Sequence, residues 1–492
     1  MDARASLSYG RGMASSVRDL PRVSDKGALG SLGNSTAERL DFQREIARAS
    51  APLVRGRLLH LPVVFPARPE ACHEVLVSKA KSFEKSPGLR VLLHDLAGKG
   101  LFTSEGELWR RQRKLMAPLF TPASLGGYAE VMRRAAQRAA ERMRPGQQVD
   151  IAAETTRIAM TVVGDALFGA DTFDEADTLG SALTTALGWV NESLASPAIA
   201  AHILMLDATG DLARRARGTV KAWLERAHDA LESPFLVKGS KSRELRAALA
   251  TLDDRIQGMI EDRRREGLAR PDLLTRLLAA RDADEGGAMT DKQVRDEVVT
   301  LFVAGHETTA TSLAWALYLL AREPAVRERV VAEADAFADV PLESYDPEKL
   351  ELTTRVFREA LRLYPPVMFF PRRTLEEVEI AGTRLPPRTI VFVSAYAQHR
   401  RADVYEAPDR FDPDRFLPEQ DAARPKGAYL PFSAGPRFCI GMSFAMMEGP
   451  IVLATLLRRL RFEIDPALRI VEDDFATLRP RGGVPALVSP RT

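Results

Sequence analysis

A single cysteine near the end of the chain, Cys439, is surrounded by residue types that suit a metal-bearing ligand. It lies in the stretch 431–442, with Gly435 before it and Gly441 after it. Glycine has no Cβ, so it permits a tight turn and lets the backbone approach a large planar group. An apolar periodic run from Ile440 predicts a helix directly after the cysteine. The amides at the start of that helix favour the ionised thiolate, the form that ligates metal.

The simplest alternative for a lone cysteine is a small buried apolar residue. The spacing Phe-x-x-Gly-x-Arg-x-Cys-x-Gly, which begins at Phe432, argues against that alternative because it fixes five positions around one thiol. This pattern resembles the haem-binding loop of the cytochrome P450 family. The resemblance implies haem b as the cofactor, with Cys439 as the iron ligand and Phe432, Arg437 and Gly441 as further haem contacts. Thiolate ligation of haem iron favours cleavage of the O–O bond.

A polar cluster interrupts a long apolar helix that the periodicity predicts over residues 291–320. Gly305 costs helix stability of about 1 kcal/mol, and Glu307, Thr308 and Thr309 place an acid and two hydroxyls in an apolar run. Threonines can also bond back to carbonyls of the preceding turn, and that alternative stays open. The pattern Ala-Gly-x-Glu-Thr-Thr resembles the oxygen-binding helix of the same family. The resemblance implies that Thr308 donates a hydrogen bond to dioxygen and that Glu307 relays protons from solvent.

An acid and a base three residues apart, Glu359 and Arg362, share one face of a helix predicted over residues 351–363. Exposed pairs of this kind are common and contribute little by themselves. Followed by Tyr-Pro-Pro and later by Arg415, the pair resembles the family's Glu-x-x-Arg motif and its downstream arginine. The resemblance implies a structural triad that holds the segment before Cys439 in place.

Haem brings two propionates that need cationic, preferably bidentate, partners. The spacing of Trp109 and Arg113 resembles the family's Trp-x-x-x-Arg helix. With Arg372 and Arg437, these residues are the predicted propionate contacts. Nearby basic residues of the same helix are expected to be solvated, and they could help to dock an acidic electron carrier.

The substrate pocket is predicted from the resemblance alone, with an apolar lining that includes Ala304, Val367 and Phe370. An apolar lining is also ordinary protein core. His306 is interpreted as a packing or surface residue. The segment that begins at His399 departs from the family's His-Arg-Asp-Pro, because Arg401 stands where the family has aspartate, and no role is assigned to it.

Length and composition restrict the class of protein further. The chain has 492 residues, 45% of them hydrophobic and 28% charged, the balance of a globular protein. A net charge of +2 gives no argument for nucleic acid binding. Two cysteines cannot form a disulfide framework, which suits a reducing cytoplasm. Residues 1–60 contain no apolar run long enough for a membrane anchor, so we expect a soluble, bacterial-type, cytoplasmic protein.

Helical periodicity dominates the chain, and strand patterns are few and short. The predicted helices span residues 124–145, 211–232, 241–267, 291–320, 324–338 and 351–363. The predicted strands span residues 58–64, 378–380, 389–393 and 486–488. The sequence thus indicates a mainly α fold with a minor β portion, like that of cytochrome P450. We expect residues 1–38 to form a disordered tail and 39–492 a single large helical domain, with haem buried between the long distal helix and the cysteine-loop helix.

Together these features predict a haem-thiolate monooxygenase that acts on a small or medium apolar substrate of fatty acid, terpenoid, steroid or polyketide type. No dinucleotide or flavin motif follows Cys439, so electrons from NAD(P)H are expected through a separate ferredoxin or flavodoxin with its reductase. A monomer is expected. Two alternatives stay open: a peroxide-driven peroxygenase or isomerase of the same fold, and a non-catalytic haem sensor.

Overall fold

The secondary structure is described here from a computed structural model, which covers residues 16–24, 35–58, 61–194, 197–231, 242–267, 272–279, 289–337, 347–474 and 477–491. The helices, in chain order, are α1 Thr36–Arg48, α2 Pro69–His73, α3 Pro87–Ala97, α4 Gly106–Met116, α5 Pro122–Leu125, α6 Ala129–Arg142, α7 Ile151–Phe168, α8 Ala176–Leu194, α9 Pro197–Arg215, α10 Gly218–Ala230, α11 Ser242–Glu266, α12 Leu273–Ala279, α13 Asp291–Arg322, α14 Pro324–Ala336, α15 Glu351–Leu363, α16 Ala395–Gln398, α17 Pro418–Ala423 and α18 Met442–Arg459. The strands are β1 Leu53–Leu58, β2 Leu61–Pro66, β3 Phe83–Lys85, β4 Gln148–Asp150, β5 Phe369–Thr374, β6 Val378–Ile380, β7 Thr383–Leu385, β8 Ile390–Ser394, β9 Leu460–Glu463, β10 Glu472–Asp474, β11 Leu478–Pro480 and β12 Pro485–Pro490.

The chain folds into two compact units. The first comprises Met1–Ser86, Met368–Arg410 and Glu419–Cys439, and the second comprises Pro87–Val367, Phe411–Pro418 and Ile440–Thr492. Compact units of this kind are not by themselves domains. The single domain over 39–492 therefore stays a prediction.

The first unit contains most of the β structure. Its five-stranded sheet has the order β1-β2-β8-β5-β3, in which only the β2–β8 pair is parallel. The β6–β7 hairpin packs against the same apolar core as the sheet, a core that includes Val64, Leu76, Ile380 and Val391. This sheet fixes the position of Arg372 on β5.

The second unit contains the long helix α13, which begins with a complete capping box. The Gln293 N–H donates to Thr290 Oγ1 at 3.2 Å, and the Thr290 N–H donates to Gln293 Oε1 at 2.8 Å. From Leu313 to Leu320 every residue of the helix is buried, so packing on all sides holds this half of α13. Helices α7, α15 and α18 pack against it. The small sheet β4-β12-β9 and the β10–β11 hairpin complete the unit.

Three predicted elements differ from the observed ones, and the first, the helix predicted over 124–145, is divided into α5, a 3-10 turn at Gly126–Tyr128 and α6. The helix predicted over 211–232 is two helices, α9 and α10, because Gly218 adopts a left-handed φ of +60° that a continuous helix does not allow. The strand predicted over 58–64 spans the end of β1 and the start of β2, which pair as an antiparallel hairpin. Apolar periodicity continues across the latter two breaks, so it could not mark them.

The N-terminal region is described only at residues 16–24 and 35–38 of the predicted tail, and the rest of that prediction lies outside the described residues. At Pro21, the carbonyl accepts from the Arg55 N–H at 2.8 Å, and Leu20 and Val23 are buried. Of the helices that the structure describes, none is both long and apolar enough to cross a membrane.

Candidate haem-binding and oxygen-activating residues

The loop that carries Cys439, in the first unit, is held by backbone hydrogen bonds. Residues Gly435–Arg437 form a 3-10 turn, and the Phe438 N–H donates to the Gly435 carbonyl at 3.1 Å. The Cys439 N–H donates to the Phe432 carbonyl at 2.9 Å and closes the loop. The Cys439 side chain is exposed, so its sulfur is accessible to a ligand.

Gly435 is required by the packing of this loop. Its φ is +70°, and a Cβ there would lie 1.9 Å from the Leu76 carbonyl oxygen. Any other side chain would push the loop away from the backbone beneath it. The glycine interpreted from the sequence as a turn residue therefore also anchors the loop that presents the thiol.

The second cysteine, Cys72, shows the opposite environment within the same unit. Its side chain is fully buried, and the thiol donates to the Pro66 carbonyl at 3.5 Å. Burial, the largest effect, raises the pKa of Cys72 far above that of an ordinary thiol. A thiol in this environment stays protonated and unreactive, so Cys439 is the better metal ligand of the two.

Arg372 and Arg373 are neighbours on β5 with different surroundings. The Arg373 guanidinium donates to Glu84 Oε1 from Nε at 2.8 Å and from Nη2 at 2.6 Å. Arg372 is buried and donates from Nη1 to the Pro371 carbonyl at 3.1 Å. Successive residues of a strand point to opposite faces of the sheet. Arg373 is thus bound to a carboxylate within the protein, whereas Arg372 donates to a neutral backbone carbonyl.

In the second unit, the middle of α13 is accessible at Ala304 and partly so at Thr308. These residues lie one turn apart, and the flanking stretches Val298–Phe302 and Thr309–Leu320 are buried. Thr308 Oγ1 donates to the Ala304 carbonyl at 2.8 Å. The hydroxyl therefore makes the back-bond that the sequence left open as an alternative, and it does so on the accessible face of the helix.

Glu307 is held by a residue distant in sequence. Its Oε1 accepts from Thr477 Oγ1 at 2.8 Å, and its side chain is 16% exposed. Thr477 lies just before β11, whose Leu478 N–H donates to the Pro366 carbonyl at 3.0 Å. The orientation of the acid thus depends on the β10–β11 hairpin, which the sequence pattern did not predict.

His306 is a buried packing residue, and the surface alternative for it is wrong. Its Nδ1 lies 2.8 Å from the Phe302 carbonyl oxygen, which can only accept, so Nδ1 carries the proton. Burial, the largest effect, lowers the pKa of His306, while Glu307 and the Phe302 carbonyl partly oppose the shift. The ring is therefore neutral at pH 7, and its Nε2 lies 3.7 Å from Glu307 Oε2.

Glu448 on α18 is a buried acid that the sequence analysis missed. It is fully buried, and among the described residues neither carboxyl oxygen has a donor within hydrogen-bond geometry. Burial raises the pKa of Glu448 well above its ordinary value, and the hydroxyl of Thr309 offsets only part of this effect. Burial therefore favours the protonated form of Glu448. An acid within the apolar run of α18 was the available sequence signal.

The helix α4, also in the second unit, carries Trp109 and Arg113. The Arg113 guanidinium carbon lies 5.9 Å from the centre of the Trp109 ring, so the two side chains are adjacent. The loop before α4 is held by α13, because the Lys99 N–H donates to Asp296 Oδ2 and the Leu101 N–H to Glu297 Oε2, both at 3.0 Å. These two buried acids position α4, and the sequence analysis did not single them out.

The three residues of the predicted triad meet in the second unit. Arg362 donates to Glu359 from Nε at 2.7 Å and from Nη2 at 2.8 Å, and both residues are fully buried. Arg415 Nε lies 3.4 Å from Glu359 Oε1, which also accepts the Asp412 N–H at 2.9 Å. The segment that contains Arg415 is thus tied to Glu359 at two points, once through the Asp412 backbone N–H and once through the Arg415 side chain.

The predicted pocket residues lie in different parts of the chain. Ala304 is on the accessible face of α13, and Val367 is a partly buried residue of the second unit. Phe370 is on β5 in the first unit, where it packs against the sheet core. Arg437 and Phe432 belong to the Cys439 loop, and Gly441 is the N-cap residue of α18.

The residues of each unit fit a haem group. In the first unit, an accessible thiol suits an iron whose other ligands belong to a macrocycle, and a buried arginine on β5 suits a propionate. In the second unit, Ala304 offers a small accessible side chain between two buried stretches of α13, against which a flat ring can lie. The roles of Cys439, Arg372 and Arg437, and those of Trp109 and Arg113, as haem contacts stay predictions.

Comparison with known proteins agrees with these features. A family model described as Cytochrome P450 matches residues 26–483. Cyclooctatin synthase of Streptomyces melanosporofaciens is 34% identical over 431 residues, 86% of this chain and 85% of that protein. Pentalenene oxygenase of Streptomyces avermitilis is 33% identical over 420 residues, 85% of this chain and 86% of that protein.

The same comparison extends to solved structures. The crystal structure of the cytochrome P450DA heme domain matches with a TM-score of 0.79 and 23% identity, covering 96% of this chain and 98% of that chain. At this identity the likeness concerns the fold alone. The mainly α, P450-like fold predicted from the sequence is confirmed by this match.

Proposed function

Because the chain belongs to the cytochrome P450 family of haem-dependent monooxygenases, we propose that it inserts one oxygen atom of dioxygen into a terpenoid substrate. Fatty acids, terpenoids, steroids and polyketides were the substrate classes predicted from the sequence. Relatives named cyclooctatin synthase, pentalenene oxygenase and cyclooctat-9-en-7-ol 5-monooxygenase support the terpenoid class. The observation that carries the monooxygenase role is the acid and alcohol of α13, Glu307 and Thr308, next to Ala304, an exposed residue in the middle of the helix.

When bound, haem supplies a redox-active iron that activates dioxygen. Cys439 provides the thiolate, and the hydrogen bond from its N–H to the Phe432 carbonyl fixes the backbone that carries the sulfur. Arg372 and Arg437 neutralise propionate charge, and a planar guanidinium suits a carboxylate better than an ammonium does.

The residues proposed to deliver protons, Glu307 and Thr308, lie on α13. Thr308 Oγ1 donates to the Ala304 carbonyl at 2.8 Å, and rotation about χ1 turns this donor toward dioxygen. Glu307 Oε1 is held by Thr477, so Oε2 is the oxygen that exchanges protons with solvent. Cleavage of an O–O bond to give water consumes two protons; both would come from solvent, relayed by Glu307, while Thr308 would donate a hydrogen bond.

Electrons come from a separate protein, a ferredoxin or flavodoxin with its NAD(P)H-dependent reductase. Three basic side chains on α4, Arg110, Arg111 and Lys114, are exposed and support docking of an acidic carrier. A basic surface speeds association with an acidic partner, and salt weakens this effect.

The test is oxygen incorporation. The haem-loaded protein, a surrogate ferredoxin and its reductase are given NADPH, ¹⁸O₂ and a panel of terpenoids, steroids, fatty acids and macrolides. We expect one ¹⁸O atom in a hydroxylated terpenoid, preceded by a low-to-high spin shift on substrate addition. A spin shift and product with another class alone would contradict the terpenoid proposal.

The two alternatives give different results in the same experiment. Full turnover on peroxide, with no consumption of reduced nicotinamide, would favour the peroxygenase. Reversible ligand binding without any product would favour the haem sensor. The acid and alcohol of α13 argue against both, because neither activity needs protons delivered to dioxygen.

A further inference from the structure

A groove of about 400 Å³ in the first unit lies outside the loop that carries Cys439. It is formed by the end of α1, the residues that follow it, and the segment after α16 that begins at Arg400. Five arginines and two aspartates line the groove, an excess of three positive charges. Its volume is within the range of small-ligand sites in proteins, which is roughly 300–1,000 Å³.

Two of the five arginines, Arg401 and Arg68, are bound to a carboxylate of the protein and stabilise the fold. Arg401 donates to Asp403 from Nε at 2.9 Å and from Nη2 at 2.8 Å, and Arg68 donates to the same carboxylate. Arg401 Nη1 also donates to the carbonyls of Ala67 at 2.6 Å and Ala49 at 3.3 Å. All three guanidinium nitrogens of Arg401, which replaces the aspartate of the family pattern, thus donate hydrogen bonds. These bonds hold the end of α1 to the residues that follow β2.

Arg400, in contrast, has N–H groups without a hydrogen-bond acceptor among the described residues. Its side chain is 6% exposed, and its guanidinium lies 3.6 Å from the centre of the Tyr396 ring. Its Nη1 is buried and has no hydrogen-bond acceptor among the described residues. The nearest carboxylate, Asp409, approaches Nε at 3.3 Å without hydrogen-bond geometry and is itself 76% exposed. A buried N–H of a charged group without an acceptor is unfavourable, so this site favours an incoming anion.

A second cation borders the groove. Arg48, the last residue of α1, is exposed, and no ion pair or hydrogen bond of its side chain is found within the described residues. Arg44, one turn earlier, pairs with Asp41 at 3.2 Å on the same helix. The uncommitted donors of the groove are therefore Arg400 Nη1 on its wall and Arg48 at its rim.

We propose that this groove binds a phosphate-type oxyanion, held by Arg400 and Arg48. Guanidinium groups recognise phosphate by paired, charge-assisted hydrogen bonds, and Arg400 offers such a donor already desolvated and fixed by the Tyr396 ring. The phosphate can be free in solution or part of a lipid headgroup, because the chemistry recognised is the same.

Calorimetric titration of the haem-loaded protein tests the proposal in two arms. The first uses inorganic phosphate against chloride at equal ionic strength, and the second uses vesicles of phosphatidylglycerol in phosphatidylcholine. We expect saturable binding in at least one arm. Arg48→Ala should weaken it about 10-fold or more, as expected for loss of one charge-assisted hydrogen bond. Arg400→Met should abolish it.

Arg226→Ala, which removes an exposed arginine on α10, is the matched control and should bind like the unchanged protein. Arg400→Met is checked first for an unchanged Soret band and melting temperature, and if it does not fold, Arg48→Ala decides the question. Binding in the vesicle arm alone identifies a headgroup, and binding in the phosphate arm identifies a free anion. No binding beyond chloride in either arm, or equal affinity for Arg48→Ala and Arg226→Ala, overturns the proposal.

Discussion

Two buried carboxylates in helices of the second unit differ in how fully they are paired. Glu359 on α15 accepts two hydrogen bonds from Arg362 and one from the Asp412 N–H, and Arg415 lies close by. Glu448 on α18 is just as buried but has no donor within hydrogen-bond geometry among the described residues. The first acid is fixed in an ion network, whereas burial raises the pKa of the second well above its ordinary value.

This difference in pairing distinguishes residues that stabilise the fold from residues that can exchange protons. A saturated ion network holds a backbone in place, but it offers no free site for proton exchange. Among the described residues, the acid and alcohol near the middle of α13 are less fully paired: Glu307 accepts from the Thr477 hydroxyl, and the Thr308 hydroxyl donates to a carbonyl of its own helix. Groups of this kind can change partners without unfolding the helix. Three predictions sharpen the comparison.

The largest effect is expected at Glu359. Glu359→Gln leaves the buried guanidinium of Arg362 without its counter-charge and should lower the free energy of unfolding by about 3–5 kcal/mol. The matched control is Glu351→Gln on the same helix, where an exposed pair with Arg355 at 2.8 Å should cost less than about 1 kcal/mol. Denaturant unfolding of both variants measures the difference. Equal costs would show that the buried network is not structural.

A smaller, pH-dependent effect is expected at Glu448. Its folded pKa is raised, so its contribution to stability is fully present below its ordinary value of 4.5 and is lost as pH rises toward the folded pKa. In that window the folded state holds one proton more than the unfolded state, and stability falls by about 1.4 kcal/mol per pH unit. Glu448→Gln stays neutral at every pH.

The stability of Glu448→Gln relative to the unchanged protein should therefore increase from pH 5 to pH 7. Thermal unfolding of both proteins across this range measures the trend. Parallel stability curves would mean that Glu448 titrates normally, and the comparison with Glu359 would then fail.

The smallest effect on stability is expected at Thr308. Thr308→Ala removes a back-bond within α13 and should change the free energy of unfolding by less than about 0.5 kcal/mol. The haem spectrum should stay intact, while reduced nicotinamide is still oxidised and its electrons reduce dioxygen to hydrogen peroxide instead of forming product. Thr308→Ser keeps the hydroxyl and should keep coupling near that of the unchanged protein. Full coupling in Thr308→Ala would rule out its role in proton delivery.

The sequence predicted best what depends on local pattern. The helix expected over 291–320 is α13, and Glu359 and Arg362 share a helix face because they are three residues apart. Arg415, which lies near Glu359, was expected only from the family resemblance. The break between α9 and α10 was missed because one left-handed glycine, Gly218, decides it within a continuing apolar period.

Long-range contacts could not be predicted from local patterns. Gly305 was interpreted as a cost accepted at a functional site, but a Cβ there would lie 2.8 Å from Val163 Cγ2, so close packing of α13 on α7 also requires it. Thr477 as the partner of Glu307, and the orphaned carboxyl of Glu448, arise from parts of the chain far apart in sequence. Burial in the tertiary structure, rather than residue type, decides these roles.

The central claim is that Cys439 ligates a haem iron as a thiolate. The most direct measurement is the absorption spectrum of the purified, reduced protein under carbon monoxide. We expect a strongly red-shifted Soret band, which Cys439→Ser abolishes and Cys72→Ala, at the buried cysteine, retains. A Soret band at the usual haem–histidine position, or a red-shifted band that persists in Cys439→Ser, would contradict the claim.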